Sequence, residues 1–127
     1  RSNSRSALVW KAMPLPKAKQ MKRFGFTNNV ECEWYYTRQV GEHVTFNLSI
    51  DRESGAYETL VFDEFFGQPE YYGDMLPVYC NQIVANIDVI LHELRLQGIA
   101  IEFDHAEYRT RPHRTRLICR TSVDVVL

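Results

Sequence analysis

Acid–base chemistry in this chain would have to run through four histidines, His43, His92, His105 and His113, and the carboxylates near them. Asp88 and His92 stand four residues apart in a stretch with helical periodicity, a spacing that suits an oriented pair or an ordinary surface contact. The segment IAIEFDHAEY alternates, so His105 faces the same way as Ile101 and Phe103, either as a hydrogen-bonded core histidine or as a base in a pocket. Glu102 and Asp104 share the opposite face, while Asp63 and Glu64, adjacent in another alternating stretch, point apart. An enzyme built here would pair His105 with Glu102, Asp104 or Asp63. Glu102 and Asp104 are expected to meet arginines across a hairpin rather than a cation, and no metal site is expected. Cys32, Cys80 and Cys119 give an odd count without CxxC spacing, which suits small buried hydrophobes better than disulfides or zinc. The six glycines never form a phosphate-cradling loop, and no cofactor is expected.

Aromatic residues offer a different chemistry. The loop FFGQPEYYGD puts Phe65, Phe66, Tyr71 and Tyr72 where a connection would normally be polar. Such a loop closes a pocket, fills an interface or packs onto a satellite cluster. Trp34 and Tyr36 from a strand, with Phe66, Tyr71, Tyr72 and His105, are the candidate ligand-binding set.

These side chains need a scaffold, and its clearest element is a helix over about residues 75–97, with Asp74 as cap, Pro77 in the first turn and Gly98 just past the end. Leu76, Cys80, Ile83, Ile87, Ile90 and Leu94, flanked by Val84 and Leu91, make a core-facing stripe. A second apolar row of Val78, Ala85, Val89 and Leu96, interrupted by Gln82 and His92, leaves the helix apolar on another side. Val78, Ala85, Val89, His92 and Leu96 are therefore candidate interface residues. Period-two patterns predict strands over 44–51 and 56–66, with Leu60 and Phe62 inward, and over 31–37, where Cys32, Trp34 and Tyr36 share a face and Phe24 and Phe26 precede as a hairpin partner. Further strands are expected over 99–108 and 114–126. The fold class is α+β, with an antiparallel sheet of about five or six strands packed against and curving around one long helix.

At 127 residues, 45% of them hydrophobic, the chain suits one domain over residues 1–127, with 1–12 read as a leader or an added head. No stretch reaches the roughly 18 apolar residues of a membrane span, and the apolar run Ala7 to Trp10 is too short for an export signal, so a cytoplasmic protein with no membrane partner is expected. Of 16 acidic residues, 15 lie between Glu31 and Glu107 with 3 of the 15 basic ones. The basic ends could meet nucleic-acid phosphates or pair with the acidic middle.

The head RSNSRSALVWKAM and the tail TRPHRTRLICRTSVDVVL resemble the edges of proteins encoded by integron gene cassettes, a class carried on mobile genetic elements. The resemblance implies an orphan protein with an oligomeric α+β fold. Together with the unassigned apolar surface, it gives the expected function: a non-catalytic interaction module that forms a homodimer, with a small apolar ligand as a further expected partner. A small enzyme with a His/carboxylate site in an aromatic pocket is the first alternative. A nucleic-acid-binding accessory protein is the second.

Overall fold

A computed structural model describes residues 14–112. The chain enters through α1 (Ala18–Arg23), a run of good helix formers in which Met21 is fully buried. Gly25, at φ +104°, stops it. The expected strand through Phe24 and Phe26 is therefore replaced: Phe26 packs its ring 4.9 Å from Tyr36, and Thr27 makes a lone bridge to Tyr35. Two aromatic positions are too few to hold a ladder beside a preformed helical turn.

Four strands follow as an antiparallel meander, β1 (Glu33–Gly41), β2 (Val44–Asp51), β3 (Tyr57–Asp63) and β4 (Gln68–Pro69), in spatial order β1-β2-β3-β4. The β2–β3 turn is fixed by Asp51, whose Oδ2 accepts the Ser54 N–H at 2.7 Å and the Glu53 N–H at 3.2 Å. The inner face carries Trp34, Tyr36, Phe46, Leu48 and Ile50, as the alternation requires. On β3 the phase is the reverse of the expected one. Val61, opposite Phe46, is fully buried, while Leu60 is 38% exposed and Phe62 also faces outward. Period two allows either frame in ETLVFD, and the register against β2 selects the one that puts Val61 inside. Cys32, expected inward with Trp34, lies outside β1 in a turn at φ +67° and is exposed.

The long helix α2 (Pro77–Leu96) buries Ile83, Ile87, Ile90 and Leu94 against the sheet. Its start differs from expectation: Asp74 belongs to a 3-10 turn, Leu76 occupies the N-cap without a side-chain cap, and Leu76 is exposed rather than part of the core stripe. Pro77 at the first position needs no N–H partner. At the far end Gly98, at φ +89°, lets the Gly98 and Ile99 amides return to the carbonyls of Arg95 and Leu94.

Residues 99–104 form no strand. Ile99 and Ile101 are buried, but the segment runs irregularly and ends in a 3-10 turn, His105–Tyr108, capped by Asp104 Oδ1 accepting the Ala106 N–H at 2.9 Å. Side-chain hydroxyls stand in for a ladder beside β3: Tyr57 accepts the Glu102 N–H at 3.1 Å and Tyr108 accepts the Val61 N–H at 3.2 Å. Among the described residues the sheet thus has four strands, and none of their helices is long and apolar enough to cross a membrane. The strand expected over 114–126, its pairing of Arg116 and Arg120 with Glu102 and Asp104, and residues 1–12 lie outside the described residues.

Candidate functional site

The most connected polar group on the helix side of the molecule is built from three elements. Tyr72 comes from the 3-10 turn before α2, Asp88 from α2 itself, and His105 from the second 3-10 turn. His105 Nδ1 lies 2.7 Å from the Tyr72 hydroxyl, and Nε2 lies 2.8 Å from Asp88 Oδ1. Burial, the largest cause, with smaller effects from Tyr108, Cys80, Asp88 and Asp104, pushes the Tyr72 phenol well above its ordinary value. Tyr72 therefore keeps its proton and stands as a hydrogen-bond partner of Nδ1, while the Asp88 carboxylate accepts from Nε2–H. Tyr108 sits against this chain, with its ring stacked between Tyr72 at 5.6 Å and Phe103 at 5.8 Å. Phe103 meets Phe46 edge-on and so ties the cluster to the sheet.

Of the four residues His105, Glu102, Asp104 and Asp63, only His105 takes part. Its carboxylate is Asp88, seventeen positions away, in place of Glu102, Asp104 or Asp63. Asp88 turns to His105 and not to His92, which stands exposed. Asp104 caps its own turn. Asp63 is buried, and its Oδ1 accepts the Phe65 and Phe66 N–H groups at 2.9 and 3.2 Å, shaping the β3–β4 turn. Glu102 contributes a main-chain N–H to Tyr57. Both ring nitrogens of His105 are engaged, one by a buried phenol, so the arrangement fastens the 105–108 turn to α2.

The expected aromatic pocket divides. Tyr71, Tyr72 and His105 gather around Tyr108, whereas Tyr36 is buried on Phe26 with the Arg38 guanidinium over its ring, and burial raises its phenol pKa. Trp34 lines a different groove, with Leu15, Lys22 and Arg52. Phe66 stands 71% exposed at the β3–β4 turn, against Phe65, which in turn meets His43. Surface grooves open over the outer sheet face, beside Trp34, at the start of α2 and beside the β2–β3 turn. The most apolar of them, about 280 Å³, lies where Val44, Met75, Leu76, Tyr79 and Ile83 meet the β1–β2 turn.

On the outer sheet face Asn47 is buried in a polar knot. Its Oδ1 accepts from the Tyr35 and Thr37 hydroxyls at 2.6 and 2.7 Å, and its Nδ2 donates to Thr45 Oγ1 and the Leu60 carbonyl. Sequence reading missed this residue, and missed Asp88 and Tyr108 as partners of His105. The tyrosine three places after His105 was the available signal for Tyr108. Among the described residues no three His, Cys, Asp or Glu side chains converge as metal ligands would.

The interface candidates fall on one line. Val78, Ala85, Val89, His92 and Leu96 are all exposed along the side of α2 away from the core, with Val78 at 66%, Val89 at 55% and Leu96 at 74%. No protein-family model, curated protein or solved structure matches the chain.

Proposed function

We propose that this protein is a non-catalytic interaction module that forms a homo-oligomer. The observation that carries the reading is the row of aliphatic side chains open to solvent on α2, set against a histidine whose two nitrogens are already engaged. Single exposed aliphatics are ordinary on a protein surface. Three large ones in one line on one helix, with Leu76 and Tyr79 exposed beside them at its start, form the kind of continuous apolar surface that a partner covers. Sedimentation velocity across the micromolar range tests it. A sedimentation coefficient that rises with concentration toward that of a dimer is expected, and a monomer throughout removes the reading.

A further inference from the structure

We infer that the partner is a second copy of this chain, and that two α2 helices pair antiparallel about a two-fold axis beside Ile87. The inference rests on the self-association proposed above and adds its geometry. Along the exposed side of α2 the residues in line are Val78, Gln82, Ala85, Val89, His92 and Leu96, at steps of four, three, four, three and four. That is the alternation of a helix-pairing seam, and it reads the same from either end. Its midpoint is position 87, where a two-fold axis turns the row onto itself.

The chemistry matches across that axis as well as the spacing. Val78 meets the partner's Leu96, so aliphatic lies on aliphatic at both ends. Ala85 meets the partner's Val89, a small residue opposite a branched one, which lets the helices approach at the centre. Gln82 meets the partner's His92, so the only two polar members of the row fall opposite each other, amide beside imidazole. In a parallel pair each residue would instead meet itself, glutamine on glutamine and histidine on histidine. The flanks are compatible: Tyr79 lies beside the partner's Glu93 and Arg95 beside the partner's Asn81. Asp88 comes near the partner's Asp88 at the axis, and His105 already donates a hydrogen bond to that carboxylate. Asn86, on the other flank, has its amide bonded to the Val40 carbonyl at 2.9 Å and stays out of the seam.

The seam spans nineteen residues, about 27 Å from first to last, and its strip about 10 Å wide is well short of the roughly 800 Å² per partner of a standard interface. Micromolar association is therefore expected. A charge-swap series read by sedimentation tests the arrangement. Val78→Glu and Leu96→Lys each weaken the dimer at least about tenfold, and the double variant V78E/L96K recovers most of the loss, because each glutamate then meets the partner's lysine. Val89→Glu abolishes association with helix content unchanged by circular dichroism. A wild-type chain that stays monomeric overturns both the self-association and the pairing. A dimer indifferent to Val89→Glu overturns the helix as its contact while self-association stands. A double variant weaker than either single overturns the antiparallel order alone.

Discussion

Two sides of α2 carry similar chemistry and meet opposite fates. Ile83, Ile87, Ile90 and Leu94 are closed off by the sheet, whereas Val78, Val89 and Leu96 stand in solvent on the same twenty-residue helix. Aliphatic content does not distinguish the two rows. What does is continuity: Ile83, Ile87, Ile90 and Leu94 run unbroken into the core cluster, whereas glutamine, alanine and histidine are interspersed in the outer row. A helix uniformly apolar around its girth would be ambiguous about which side faces the core. The interspersed polar and small residues make the outer row the poorer core and the better reversible contact.

That contrast can be broken most severely at Ile87. Ile87→Ala is expected to cost about 2–5 kcal/mol in urea unfolding, while Val89→Ala stays within about 0.5 kcal/mol. Equal losses at the two positions would show that both sides are covered within one chain. Gly73→Ala comes next, because a Cβ there would run into the Arg109 carbonyl oxygen, backbone that cannot turn aside. A loss of about 1–3 kcal/mol is expected, with the 109–112 segment displaced. Tyr72→Phe keeps the stack on Tyr108 but removes the hydroxyl bonded to His105. A loss of about 1 kcal/mol is expected, and none at all would mean that the Tyr72–His105–Asp88 chain does not hold the last segment to α2.

The smallest effect tests charge on the side away from the seam. Burial first, then Asp63 and Asp74, raises the Glu70 carboxyl above its ordinary value, with Arg111 opposing. The fold thus favours the protonated form, and at neutral pH the ionised group subtracts from stability. Glu70→Gln should stabilise slightly at pH 7, and the difference should shrink as the pH falls through the range where Glu70 takes up its proton. A difference that grows on acidification contradicts this assignment.

The helix and the β2–β3 hairpin were legible because each repeats its period many times: the expected 75–97 became Pro77–Leu96, and the expected 44–51 paired with Tyr57–Asp63 out of the expected 56–66. Short or two-valued patterns were not. ETLVFD offers aliphatics in both phases, so the inward residue depends on β2, which no local pattern contains. The alternation of 99–105 is real, since Ile99 and Ile101 are buried and Phe103 packs on the core, yet tyrosine hydroxyls take the hydrogen bonds that a neighbouring strand would supply. At the site, His105 was singled out from its own segment, but its partners come from turns and helices distant in sequence. Only tertiary packing brings Tyr72 and Asp88 to the two sides of one imidazole.

The hydroxyl that Tyr108 aims at the Val61 amide has a bearing on how this protein survives at high concentration. Among the described residues β4 is only two residues long, so most of β3 borders the rim of their sheet, where unsatisfied main chain can template the growth of fibrils from other molecules. A single phenol occupies the amide next to the point where β4 ends, and the bulk of its ring obstructs an incoming chain. The same aromatic cluster that anchors the last segment thereby also guards this rim against polymerisation.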